Sequence, residues 1–123
     1  MSKYKPYPSY KNSGVEWLGD MPSDWINKKL KYIASVQTGT TPSTTREDFF
    51  SDSFGIPWVK PDELSDLKPI ISSKKYLTKV GIDEARLIKA NSVLVCGIGT
   101  IGKFGIAGVD LATNQQINAV TFM

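Results

Sequence analysis

"VLVCGIGTIGKFGIAG", from Val93 to Gly108, sets Gly97, Gly99 and Gly102 at the spacing of a dinucleotide-binding fingerprint, directly behind an apolar run that reads as a strand. That fingerprint needs two companions: a helix opened by the glycines, and an acid some twenty residues on for the ribose. Neither is present. Gly102 is followed by Lys103-Phe104-Gly105-Ile106-Ala107-Gly108-Val109-Asp110, whose further glycines would each cost a helix about 1 kcal/mol. Where the acid should stand lie Ile117, Asn118, Ala119, Val120 and Thr121. The segment therefore reads as strand, glycine turn and strand, and the glycines serve a bare backbone that turns tightly or comes close to a partner.

Composition narrows the function classes. With 123 residues and 41% apolar content, the chain can build one small core and not two. No apolar run reaches the length of a membrane span, and "MSKYKPYPSYKNSG" lacks the apolar stretch of a signal peptide, so a cytoplasmic location without membrane contact is expected. Cys96 is the only cysteine and there is no histidine. Disulfides and imidazole-dependent triads are thereby removed, the commonest zinc ligand is missing, and no catalytic residue, metal ligand or cofactor is assigned. Within its apolar run, Cys96 reads as a small buried hydrophobe.

The net charge of +3 is unevenly spread. Residues 1–34 are basic through Lys3, Lys5, Lys11, Lys28, Lys29 and Lys31, and 67–123 are basic again. Between them, 44–66 reverses the sign with Glu47, Asp48, Asp52, Asp62, Glu63 and Asp66. Such a distribution admits a phosphate-bearing partner and is equally that of an ordinary charged surface.

Along the chain, residues 1–24 mix prolines with tyrosines and Trp17, which predicts an extended arm; Trp17 and Trp25 are expected to pack onto the protein itself. Leu30, Ile33 and Ala34 have a short helical spacing before a brief strand, Ser35–Thr38. The hydroxyl-rich loop Gly39-Thr40-Thr41-Pro42-Ser43-Thr44-Thr45 follows, with Gly39 free to take a positive φ. "REDFFSDSFG" reads as a surface loop or short helix pinned by phenylalanines, and Ile56–Val59 as a strand that ends at Lys60, with Pro61 opening a helical turn. Thr78 is an N-cap candidate before a helix around Asp83–Leu87. Ala90-Asn91 turns into Val93–Cys96, and Lys103–Ala107 and Ile117–Phe122 complete the strands.

Taken in order, "YKNSGVEWLGDMPSDW" (10–25), "KKLKYIASVQTGTTPS" (28–43), "IPWVKPDEL" (56–64), "NSVLVCGIGTIGKFGIAG" (91–108) and "ATNQQINAV" (112–120) make the chain similar to the amino-terminal target recognition domain of the specificity subunit of type I restriction-modification systems. The resemblance implies an α/β fold of the mixed α+β kind. Its core would be a curved, largely antiparallel β-sheet with short helices, like the recognition domain of adenine-N6 DNA methyltransferases. It also implies a non-catalytic subunit that reads one half of a bipartite site in double-stranded DNA. In a full-length subunit the partners would be the methyltransferase and restriction subunits. A truncated copy is expected, with 1–24 as arm and 25–123 as partial recognition domain. The sequence departs from the family where Thr40 replaces the second glycine of Thr-Gly-Gly-Thr-Pro-Ser, and where Ile98 precedes Gly99-Thr100-Ile101-Gly102-Lys103.

Under that resemblance Thr40, Thr41, Ser43, Lys60, Thr100 and Lys103 are expected at the DNA backbone. Asn114 and Gln115 are amides of the type that reads adenine in the major groove, or else the residues of an Asx turn. The 44–55 and 65–80 loops are expected to hold or flank base readers. The competing expectation is a protein-interaction module, or a fragment that self-associates through an exposed sheet edge without binding DNA.

Overall fold

A computed structural model describes residues 5–65 and 67–123; Lys3 and Asp66, counted above among the charges, and the first four residues of the arm lie outside the described residues. The chain divides into two units, Met1–Tyr32 and Ile33–Met123.

In the first unit β1 (Tyr10–Asn12) pairs antiparallel with β2 (Asp20–Pro22), in the register Tyr10 to Pro22. The connecting turn is closed by the Ser13 amide donating to the Gly19 carbonyl (2.9 Å) and by the Asn12 side chain accepting from the Gly14 amide (2.7 Å). Trp25 meets Tyr7 edge to face at 5.4 Å. Trp17, expected to pack, instead stands exposed on the turn. The helical spacing at Leu30 yields a single 3-10 turn, Leu30–Tyr32.

The second unit holds two sheets. Its strands are β3 (Ala34–Thr38), β4 (Phe50–Ser51), β5 (Ile56–Val59), β6 (Pro69–Ile70), β7 (Lys75–Leu77), β8 (Val93–Cys96), β9 (Phe104–Ala107), β10 (Ala112–Thr113) and β11 (Ile117–Phe122). The five-stranded sheet runs β3-β11-β8-β9-β6 and the four-stranded sheet β10-β5-β7-β4. Pairing is antiparallel except for β6 with β9 and β10 with β5. A mostly antiparallel, mixed α+β domain is what the sequence led one to expect.

The opening stretch settles as a hairpin. β8 and β9 pair antiparallel from Val93–Ile106 to Val95–Phe104, and the Cys96 amide donates to the Lys103 carbonyl at 2.8 Å. Gly99 and Gly102 take φ of +81° and +96°, which few residues other than glycine adopt cheaply. A strand returning on its own neighbour leaves no helix for a pyrophosphate.

Side chains alternate as a half-covered sheet demands. On β8 Leu94 and Cys96 are buried, and on β11 Ile117 and Ala119. They join Val59, Leu64, Ile70, Ile88, Ala107 and Leu111 in the main core, while Trp58, Leu77 and Ala112 form a second cluster with Phe50, Ile82 and Ala85 against it. Pro69 sits on the edge strand β6, where its missing N–H costs no ladder bond.

Two local expectations are corrected. Ala34 belongs to β3, paired with Phe122, and not to a helix. Thr78 is the N-cap, its hydroxyl accepting from the Gly81 amide at 3.2 Å, but the helix it starts, α1, is Lys79–Ile82 and not Asp83–Leu87. Glu84 and Ala85 already bond three residues back, to Gly81 and Ile82. Ile88, 2% exposed, then bridges Leu111 in both directions at 2.7 and 2.9 Å. Burying Ile88 in the core draws residues 86–88 out straight, against their helical propensity. No helix among the described residues is long and apolar enough to cross a membrane.

Candidate nucleic-acid interface

Sheet polarity gathers the expected residues at one end of the 33–123 unit. β11 runs antiparallel to β3 and β8, so its start lies beside their ends. β10 runs parallel to β5, so Thr113 ends beside Val59. The loops leaving these strands, 39–45, 97–103 and 114–116, therefore share an end with Lys60.

Backbone hydrogen bonds stitch the loops together. The Gly39 amide donates to Ile117 O (3.1 Å), Thr40 N to Thr113 O (3.0 Å), Asn114 N to Val59 O (3.2 Å) and Gly97 N to Gln116 O (2.9 Å). Gly39 is required here by close approach and not by a positive φ: a Cβ on it would fall well inside 3.0 Å of Thr113 Oγ1 and of the Thr113 and Asn114 carbonyl oxygens. Thr40 likewise keeps a negative φ, so the family's second glycine is not needed for conformation at this position.

The individual side chains divide in kind. Thr40 is half-buried; its carbonyl accepts from Trp58 Nε1 (3.3 Å), and its hydroxyl, like that of Thr113, is buried without a hydrogen-bond partner. Thr41 is exposed and its hydroxyl donates to Gln115 Oε1. Ser43, also exposed, bonds Thr45 Oγ1 at 2.8 Å. Lys60 lies over Trp58, its ammonium 5.4 Å from the ring centroid. Thr100 is exposed at the hairpin tip, where its carbonyl accepts the Lys103 amide at 3.4 Å. Asn114 is 8% exposed, with Oδ1 accepting from Gln116 N and Nδ2 donating to Gln116 Oε1, each at 3.1 Å. Its amide shapes an Asx turn, while Gln115 faces solvent.

Three further groups belong to the same end. Thr38 Oγ1 donates to Asn118 Oδ1 at 2.7 Å, and Arg86 Nη1 donates to the Thr38 carbonyl at 2.7 Å. Trp58 ties the hydroxyl loop to β5. The alternation of β11 could have flagged Asn118 as a polar position facing away from the core, but no local pattern brings Arg86 to Thr38 across 48 residues of separation.

Three carboxylates of the acidic segment are held in ion pairs among the described residues: Arg46–Asp48 (2.8 Å), Lys74–Asp62 (3.0 Å) and Lys75–Asp52 (2.7 Å). The hydrogen bond from Arg46 holds the Asp48 carboxyl below the usual carboxylate range, and that from Lys74 does the same for Asp62. Among the described residues, Lys60 and Lys103 form no ion pair, and no cluster of metal-ligating side chains is found. Chemically the end offers hydroxyls, an exposed amide, hairpin N–H groups and two unpaired cations. Those are tools for holding a partner.

Residues 22–123 match the model of a family described as the type I restriction modification DNA specificity domain. The chain is 30% identical over 119 residues to the type I restriction enzyme MjaIX specificity subunit of Methanocaldococcus jannaschii, covering 94% of this chain and 26% of that protein. It is 29% identical over 102 residues to the HindI specificity subunit of Haemophilus influenzae, covering 81% and 22%. The HsdS subunit structure from Thermoanaerobacter tengcongensis superposes with a TM-score of 0.68 at 15% identity over 92% of this chain and 26% of that one, a likeness of fold. The chain thus spans about a quarter of the length of these relatives.

Proposed function

Because the chain belongs to the type I restriction-modification DNA specificity domain family, we propose that it recognises double-stranded DNA, without catalysing a reaction, as part of a specificity subunit that serves methyltransferase and restriction subunits. The observation that carries this reading is the gathering of loops 39–45, 97–103 and 114–116 with Lys60 at one end of both sheets. Lys60 and Lys103 supply the charge that displaces counterions from phosphates. Ser43 and Thr100 add exposed hydroxyls, Thr41 adds another by turning its proton from Gln115 Oε1, and the hairpin adds N–H groups, for phosphate oxygens. Thr40 and Asn114 act beneath them: one carries the Trp58 bond, the other holds Gln115 outward to meet a base edge.

The test is fluorescence anisotropy of a labelled mixed-sequence duplex at increasing salt. Two lysine–phosphate contacts lower log K against log salt with a slope near −1.8, each phosphate contributing about −0.9. Binding that ignores salt would defeat the reading. It would favour a second one, in which β3, the open edge of the five-stranded sheet with Val36 exposed, pairs with another chain.

A further inference from the structure

Beside the proposed DNA face lies a cavity of about 500 Å3, bounded by the 44–52 segment, β5 and β7. That volume falls within the ~300–1,000 Å3 of small-molecule sites. Its apolar wall is made by Phe50 and Trp58, whose rings lie 5.5 Å apart at 58°. Phe50 is only half-buried, so part of its ring is open to a ligand, while Lys60 lines the cavity with its ammonium over Trp58. Charge at the rim balances, with Glu47 and Asp52 against Lys60 and Lys75, and Asp52 is engaged by Lys75 at 2.7 Å.

An aromatic wall with a balanced rim suits a flat, uncharged heterocycle, and it gives a bare phosphate no net attraction. Glu47 lies outside the ion pairs and presents carboxyl oxygens that accept hydrogen bonds, so it prefers a ring bearing an amino group. Lys60 then holds the anionic linkage of the same nucleotide. Deepening the DNA reading above and resting on it, we propose that this cavity receives a single unpaired, amino-bearing nucleobase stacked on Phe50. Extruding a base from an intact duplex costs a few kcal/mol, and a base that is already unpaired is spared most of that cost.

The experiment compares the 123-residue chain on a fully paired duplex, the same duplex with one bulged adenine, and the same with one bulged thymine. The proposal expects the adenine bulge to bind about tenfold tighter than the paired duplex, the scale of one base–aromatic stack. The adenine-bulge to paired ratio falls toward one in Phe50→Leu. Glu47 is exposed, so Glu47→Gln folds even if Phe50→Leu does not; it narrows the preference for bulged adenine over bulged thymine. Equal binding of bulged and paired duplexes, or a bulge preference that survives Phe50→Leu, overturns the pocket and leaves the DNA reading standing. Failure to bind any of the three overturns both.

Discussion

Gly39→Ala tests whether loop 39–45 is locked to loop 114–116 as described. The new methyl would press on Thr113 Oγ1 and on two backbone carbonyl oxygens, so a rotamer change cannot relieve it. Overpacking of this kind costs about 1–3 kcal/mol. Relief by separation would stretch Gly39 N to Ile117 O and Thr40 N to Thr113 O, worth about 1 kcal/mol each. The stiffer unfolded chain returns roughly 0.4–1 kcal/mol, leaving a net loss of about 2–3 kcal/mol. At about 4 °C per kcal/mol for a domain of this size, thermal melting followed by circular dichroism should drop by roughly 10 °C. Gly102→Ala is the internal comparison: its φ is +96° but nothing lies within 4 Å, so strain alone should cost about 1 kcal/mol. If Gly39→Ala melts with the wild type, or no lower than Gly102→Ala, the close packing of the two loops is refuted.

Leu94→Ala, at a fully buried position of β8, should cost about 2–5 kcal/mol in a urea titration. Thr78→Ala removes the cap of α1 and should cost about 1 kcal/mol by the same assay. Lys60→Ala and Lys103→Ala should each flatten the salt slope of duplex binding by about 0.9. Asp48 and Asp62 have lower pKa values folded than unfolded, so their stabilising contribution is complete at neutral pH and lost as pH falls through the folded values, below the ordinary 3.8. Both are exposed, so the effect is small, and Asp48→Asn with Asp62→Asn should shrink the acid-limb decline in urea midpoints measured toward low pH.

The elements legible in the sequence were those whose signal is local. Ile56–Val59 and Val93–Cys96 are short apolar runs, Ile117–Phe122 sets Ile117 and Ala119 in alternation with Asn118 and Val120, and each is a strand. Pro61 opens a 3-10 turn and Asn91 adopts a φ of 72° in the turn before β8. What escaped was set by distant partners. β4 and β10 are two residues each and exist only because β7 and β5 pair with them. The sequence from Asp83 to Leu87 favours helix, but core burial of Ile88 overrides it. Within the site, the amide cluster was visible as a motif. Which amide is spent on the turn and which faces solvent depends on the Val59–Asn114 contact, which spacing does not encode.

The most direct measurement follows the backbone amide resonances of the isotope-labelled chain as a short mixed-sequence duplex is added. DNA binding at this end of the sheets predicts shifts concentrated at Thr41–Thr45, Lys60, Gly97–Lys103 and Gln115. Residues at the opposite strand ends, Ala34, Asn91, Ala107 and Phe122, should stay in place. Shifts confined to that opposite end, or none at all at low salt, would contradict it.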